Sequence, residues 1–399
     1  MSSAGVIRPA SETATLPAER TLRLRIDPLL LLATLALIGF SLVVLDGATK
    51  GDIPGSPHYY LYRQAGYGAV GLVLMLALTR FDYSRLRELK YGIYAFMIGS
   101  ILLVLGVGGA TRGSKRWIDF SVVRFQPSEL GKLLLIVALA GFMVDRSRRL
   151  PERQTTARIM LLALVPAMLV IAQPDLGTGL VYVVIALTVL FVAGTSWRHF
   201  VALAALGAVA LTMVLVVAPA AGVHVLKPYQ VDRLTAFLNP SDNPADQGYQ
   251  QNQSRIAIGS GQKTGRGVAH ATQTQLNFLP EHHTDFVFAV VGETYGFVGA
   301  AFVLSLYALL IWRGLRILTM AKNLYGALIA GGITAMLLFQ VFVNVGMTVG
   351  IMPITGVPLP LMSYGPASVL VTFLAMGLLQ SIHVQARAVA DRKARALIP

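Results

Sequence analysis

An acid-base pair and one long polar segment are the parts of this sequence whose residue types could do chemistry. In Gln126-Pro127-Ser128-Glu129-Leu130-Gly131-Lys132, Glu129 and Lys132 stand three residues apart, on one face of a helix, and can pair. Such a pair is either a structural ion pair at a helix end or the wall of a polar cavity. The preceding stretch holds Arg112, Lys115, Arg116 and Arg124 and favours the cavity, since clustered cations attract an anionic ligand. The second feature, residues 228–285, is rich in Gln and Asn and too long for a mere connection. Spaced apolar residues at 254–258 and 275–279 predict short interfacial helices within it. Its glycines, in Gly259-Ser260-Gly261-Gln262-Lys263-Thr264-Gly265, look superficially like a phosphate loop but do not fit the nucleotide pattern. The segment ends in Glu281-His282-His283-Thr284-Asp285, which lacks the His-x-x-x-His spacing of zinc hydrolases and is not read as a zinc site. Taken alone, Asp285 reads as a helix cap. Asp175 reads the same way, with lining of the same cavity as the alternative. Arg63 reads as a side chain snorkelling to its helix end, and Trp117 as an interfacial anchor.

The elements that must position these residues are set by an apolar composition. Of 399 residues, 55% are hydrophobic and only 13% charged, too apolar for an ordinary soluble domain. Runs such as 29–45 and 329–350 approach the twenty or so residues that cross a hydrocarbon core. About ten recur, at 28–46, 59–79, 91–108, 127–144, 159–173, 178–194, 200–219, 286–311, 326–350 and 363–384. The fold expected is an all-α polytopic membrane protein: a tail over 1–27, a membrane domain over 28–384 and a frayed C-terminal tail over 385–399. The large external loop, 222–285, falls between the seventh and eighth spans. Residues 1–27 are polar and no small-residue cleavage pattern follows the first apolar run, which reads as a retained span.

A formal net charge of +14 would suggest nucleic acid in a soluble protein. Here its distribution sets topology. With the N-terminus inside, the inside segments hold 21 of the 33 Lys and Arg residues. Both termini are then cytoplasmic and 222–285 faces outward; no nucleic-acid partner is expected. The absence of Cys excludes disulfides and thiolate metal sites.

Taken in order, several motifs resemble the SEDS family of shape, elongation, division and sporulation proteins, more its RodA branch than FtsW. They are Lys115-Arg116-Trp117-Ile118, Arg124-Phe125-Gln126-Pro127-Ser128-Glu129, Gln173-Pro174-Asp175-Leu176-Gly177-Thr178, Leu279-Pro280-Glu281-His282-His283-Thr284-Asp285-Phe286, and Gly356-Val357-Pro358-Leu359-Pro360 followed by Ser363-Tyr364-Gly365. The RodA assignment rests on Ile256-Ala257-Ile258-Gly259-Ser260-Gly261 and Thr272-Gln273-Thr274-Gln275-Leu276. One departure is Pro366, where the family usually continues with Gly; a proline there puts the local turn in question. The resemblance implies a ten-helix peptidoglycan glycosyltransferase of the bacterial inner membrane that polymerises lipid II, with Asp285 as the catalytic acidic residue. It also implies a class B penicillin-binding transpeptidase and other elongation-complex membrane proteins as partners, membrane lipid around the chain, and a divalent cation, Mg2+ or Mn2+.

These residues suit that chemistry. Transfer of a sugar from a lipid pyrophosphate needs a base for the acceptor hydroxyl and positive charge for the departing pyrophosphate, with no second carboxyl as acid. Asp285 is the expected base. Lys132, oriented by Glu129, together with Arg116 and Arg124, are the expected pyrophosphate ligands, with Lys263 or Arg266 assisting from a loop that reads as a flap over the cavity. The competing readings are a lipid II flippase, which would bind substrate near the bilayer midplane, and a scaffold for the transpeptidase.

Overall fold

The computed structural model describes residues 25–107, 109–111, 114–120, 123–146, 153–220, 222, 247–276 and 278–396. Among the described residues, eight helices are long and apolar enough to cross a membrane, and two shorter apolar helices accompany them. In chain order these are α1 (Pro28–Ala48), α2 (Tyr59–Arg80), α3 (Lys90–Val107), α4 (Pro127–Asp145), α5 (Arg153–Ala172), α6 (Leu176–Val192) and α7 (Trp197–Thr212, running on to Ala220). After the long loop, which contributes α8 (Gln247–Gly261) and α9 (Thr272–Gln275), come α10 (Val287–Met320), α11 (Leu324–Val349) and α12 (Pro366–Ala396). Every apolar run in the sequence thus meets one helix.

Local chemistry sets the starts. Asp27 caps α1 by accepting from the Leu29 and Leu30 amides, with Pro28 at the first helical position, where its missing N–H costs nothing. Asn323 caps α11, which stops at Gly350 in the left-handed conformation. Pro366 likewise opens α12, so the departure from the family pattern becomes a helix-initiating residue rather than a disturbed turn. The helix then runs to Ala396, so the expected frayed tail is instead a helical extension. Its Ala and Arg residues are strong helix formers.

α4, α6, α11 and α12 form the packed centre of the bundle, with core residues such as Leu139, Ile185, Ile333 and Phe373. α7 lies at the other extreme: none of its described residues is buried, so its apolar surface is left for lipid or another chain. Outside the helices, the segment between α3 and α4 forms three short antiparallel strands: β1 (Gly109–Thr111), β2 (Ser114–Phe120) and β3 (Val123–Phe125). Asp119 pairs with Arg124 in register, and β3 leads directly into Gln126 and α4.

One end of the bundle is tied by charge. Asp27 is fully buried and accepts from Arg313 of α10 through Nε at 2.8 Å and through a second guanidinium nitrogen. Gln380 of α12 joins α1 by paired bonds with the Asp27 backbone, at 2.8 and 2.9 Å. Removing one partner of a buried ion pair strands the other charge. Arg313→Ala is therefore expected to destabilise the protein by about 3–5 kcal/mol. Denaturant unfolding in detergent measures this, and an unchanged midpoint would show that Asp27 does not depend on Arg313.

Candidate active site

The helix starts at the opposite end of the bundle, where α4, α6 and α10 begin, gather the motif residues. Lys132 Nζ lies 2.7 Å from each Glu129 carboxylate oxygen, and both residues are buried. The pairing expected from their spacing is present. An ammonium has three donors, so two go to Glu129 and one is left for another acceptor. One turn earlier, Gln126 donates to Ser128 Oγ at 3.1 Å and to Asp175 Oδ2 at 3.0 Å. Asp175 also caps α6 through the Thr178 amide, 3.1 Å away, in keeping with the capping role read from sequence. Tyr182 of α6 donates to the Ser128 carbonyl at 3.0 Å. The fourth and sixth helices thus hold the Glu129–Lys132 pair between them.

Asp285 reaches this cluster through the segment between α11 and α12. A β-carbon built on Gly356 would lie 3.6 Å from Asp285 Oδ2. On the other side of that segment, a β-carbon on Gly177 would lie 2.5 Å from a Val357 methyl and 2.9 Å from the Thr355 carbonyl oxygen, so only glycine permits the approach. Residues 355–357 therefore bridge Asp285 to the start of α6, and α6 to Glu129 and Lys132.

The Asp285 turn is held by its backbone. Asn344 of α11, fully buried, donates to the Asp285 carbonyl at 2.9 Å and to the Val357 carbonyl at 2.8 Å. Ser363 Oγ donates to the Thr284 carbonyl at 2.5 Å and accepts from the Leu359 amide at 2.8 Å. The Tyr364 amide donates to the His283 carbonyl at 2.9 Å. Phe286, not Asp285, occupies the N-cap position of α10. The half-buried Asp285 carboxylate sits one residue outside the cap.

Beside it stands an aromatic group that the sequence reading did not single out. Tyr60 lies 4.7 Å from the His283 ring and 4.8 Å, edge-on, from Tyr364. Arg63 lies over the Tyr59 ring at 4.6 Å and hydrogen-bonds Tyr364, so it is held by aromatic partners rather than merely snorkelling. Burial, reinforced by Tyr67 and opposed by Arg63, pushes the Tyr364 phenol well above its ordinary value, so it stays protonated and is not a competing base.

The long loop is organised by α10. Glu293, fully buried, accepts from the Gln273 and Thr274 amides at 2.8 and 3.0 Å and from Thr274 Oγ1 at 2.7 Å. That carboxylate sets the start of α9, which is why the second short helix lies at 272–275 rather than over 275–279, where Pro280 follows. α8 covers the first expected stretch and packs against the bundle, with Ser254 Oγ donating to the Thr348 carbonyl at 2.8 Å. The Gly-rich turn after α8 has a structural explanation: α10 breaks at Gly296, φ 64°, where Gly265 backbone fills the gap. Lys263 and Arg266 are exposed on this turn, and the Arg266 guanidinium donates to the Ser260 carbonyl at 3.1 Å. Roughly 15 Å of helix separates that level from Asp285, and no described contact brings the two cations against it. Arg116 and Arg124 lie in β2 and β3 by their backbone, and their side chains fall outside the described set. Residues 223–246 of the loop and Arg112 also lie outside the described residues.

Among the described residues, Asp52, His282 and His283 form the group that could hold a metal ion. A separate cleft of about 470 Å³, lined by Arg87, Lys90, Asp145 and Tyr325, lies at the far end of α4, away from Asp285.

Residues 27–388 match the FtsW/RodA/SpoVE family, described as cell cycle protein. The chain is 40% identical over 363 residues to the peptidoglycan glycosyltransferase MrdB of Escherichia coli K12, covering 90% of this chain and 94% of that one. Among solved structures it is similar to a chain of a peptidoglycan synthase complex described as coordinating polymerization and crosslinking, with a TM-score of 0.75, 33% identity and coverage of 91% and 99%. It is also similar to the rod shape determining protein RodA of Thermus thermophilus, with a TM-score of 0.66, 31% identity and coverage of 90% and 97%.

Proposed function

Because the chain belongs to the FtsW/RodA/SpoVE family, we propose that it is a peptidoglycan glycosyltransferase that polymerises lipid II for cell elongation and shape. The observation that carries this reading is convergence. Four separate stretches, around Glu129, Asp175, Asp285 and Gly356, meet at one end of the bundle, with a carboxylate at one side and a buried ammonium at the other. That is the pair of functions which transfer from a lipid pyrophosphate requires.

In the proposed reaction the acceptor 4-hydroxyl oxygen attacks the anomeric carbon of the donor sugar while Asp285 takes its proton. The bond from that carbon to the pyrophosphate oxygen breaks from the opposite face, which inverts the centre to a β-1,4 link. The lipid pyrophosphate leaves with the bonding pair. Lys132, positioned by Glu129, stabilises the departing charge, and Arg116 and Arg124 act with it from the strand segment, with Lys263 or Arg266 assisting once the loop carries them over a bound lipid. A divalent cation is part of the proposal. When bound it would neutralise pyrophosphate charge. Of the two ions implied by resemblance, Mn2+ accepts imidazole and carboxylate donors such as Asp52, His282 and His283, whereas Mg2+ demands oxygen ligands and does not fit that set.

The site is proposed to face outward from the bacterial inner membrane, with both termini cytoplasmic, as the Lys and Arg distribution supports. A class B penicillin-binding transpeptidase is the proposed partner, since polymerised glycan must be crosslinked; other elongation-complex membrane proteins complete the assembly. Incubating the purified protein with labelled lipid II, with and without the transpeptidase, tests the reading. Glycan polymer is the expected product. Lipid movement across a vesicle membrane without any polymer would replace the enzyme with a flippase, and neither activity would leave a scaffold.

A further inference from the structure

His282 is only 4% exposed, and its ring orientation is set by its neighbours. Nδ1 faces the Leu279 carbonyl oxygen at 3.2 Å. A carbonyl oxygen only accepts, so Nδ1 carries the hydrogen, and in a neutral imidazole Nε2 is then left with a lone pair. That Nε2 lies 3.2 Å from Asp52 Oδ2, buried, and makes no hydrogen bond there. Two electron-pair donors held this close repel each other unless positive charge lies between them. A third donor, from His283, converges on the same point, with all three ligand atoms within 4.8 Å of one another.

Two kinds of positive charge could occupy the gap: a proton on His282, or a metal ion. The geometry favours the metal. A proton shared between Nε2 and Oδ2 should show as a hydrogen bond, and none is made. An imidazole whose other nitrogen donates to a backbone carbonyl has the orientation typical of metal-ligating histidine. Bonds of 2.0–2.1 Å at a tetrahedral Zn2+ hold donors about 3.3 Å apart, close to the Asp52–His282 spacing. Two imidazoles and one carboxylate also make a three-ligand set with a fourth position open, and Asp52, partly exposed, supplies the solvent side.

We propose that Asp52, His282 and His283 form a binding site for a divalent transition-metal ion, Zn2+ or Mn2+, which clamps the loop after α1 onto the turn that carries Asp285. The site is the one named above for the cation of the proposed reaction, but ion binding itself is read without that activity. Its consequence is mechanical: the His283 and Thr284 carbonyls are already bonded to Tyr364 and Ser363, so a metal on the side chains of the same turn fixes it from the opposite side.

The test uses the full chain without a polyhistidine tag, stripped with chelator in detergent and dialysed separately against Zn2+, Mn2+ and Mg2+. Elemental analysis is expected to find about one Zn2+ or Mn2+ per chain and no retained Mg2+, with a higher melting temperature for the loaded protein. Co2+ in place of Zn2+ should give the visible absorption of a tetrahedral nitrogen and oxygen site. Asp52→Asn and His282→Gln should each weaken binding at least tenfold, whereas His58→Gln, in the same loop but paired with Asp46, should not. Thermal melts of the stripped proteins establish that each variant is folded. Folded wild type that retains neither Zn2+ nor Mn2+, retention undiminished in both ligand variants, or equal retention of Mg2+ would each overturn the proposal. The first of these would assign the gap to a protonated His282 paired with Asp52.

Discussion

Replacing Asp285 with asparagine is expected to lower glycan polymerisation from lipid II by roughly 10²–10⁴-fold, the range for loss of a general base. The substitution keeps the side chain's shape but removes its negative charge and with it the ability to take a proton. Neighbouring structure should hold the geometry, because the Asp285 backbone is bonded by Asn344 and the adjoining Thr284 carbonyl by Ser363, neither through the carboxylate. The loss should therefore fall on kcat, with KM for lipid II nearly unchanged, as for an interaction made in the transition state. Initial rates of polymer formation from purified variant and wild type measure it. Polymer at the wild-type rate from the asparagine variant would remove Asp285 from the base role, whatever the family relationship.

Lys132→Met should also abolish most activity, but for two reasons that can be separated. Loss of a cation that stabilises developing charge costs about 10²–10³ in kcat. In addition, the Glu129 carboxylate, buried and with Lys132 as its ion-pair partner, would be left uncompensated, at a cost of about 3–5 kcal/mol in stability. The double variant Glu129→Gln with Lys132→Met removes both charges together. Its stability is expected to return most of the way to wild type, since replacing a whole buried pair is often neutral, while its activity should stay low. Unfolding midpoints and polymerisation rates of the two single variants and the double variant form a cycle that reads both quantities. Activity restored along with stability would make the pair a structural tie and leave pyrophosphate binding to other cations.

The two ends of the bundle use charge differently. Asp27 and Arg313 come from helices far apart in sequence and join them, whereas Glu129 and Lys132 share one turn and join nothing to each other that the helix has not already joined. A pair of the second kind contributes little to holding helices together. Its burial is better explained by a need for positive charge near the Asp285 turn, which is why its removal should cost activity even where stability is restored.

Much of this was legible in the sequence because the relevant physics is local. A run of apolar residues either is or is not long enough to cross hydrocarbon, so every apolar run met its helix. Three-residue spacing put Glu129 and Lys132 on one face whatever surrounded them, and Asp175 before Leu176 could cap α6 with no help from elsewhere. Where a local rule met a distant partner, the outcome changed. Glu293 moved the short helix of the long loop to 272–275, and the Gly-rich turn that resembled a phosphate loop became the filling of a break in α10 at Gly296. Asn344 and Tyr60 carry no motif signal of their own, and Ser363 stands in a motif that says nothing of its partner; their roles exist only because α2, α11 and the 350–365 segment close around one turn.

The histidines before Asp285 show the same division. Their spacing argued against zinc because the rule asks for ligands on one helix, and no local pattern could supply Asp52 from the loop after α1. Taken by itself, then, the sequence determined the solvent of this protein, its helices and its family, and singled out Asp285 as the proposed base, since each is written in composition or in contiguous residues. How Asp285 is linked to the Glu129–Lys132 pair, what pins its turn, and which side chains converge as the proposed metal site were decided only by tertiary structure, because those depend on distances between side chains brought together from opposite ends of the chain.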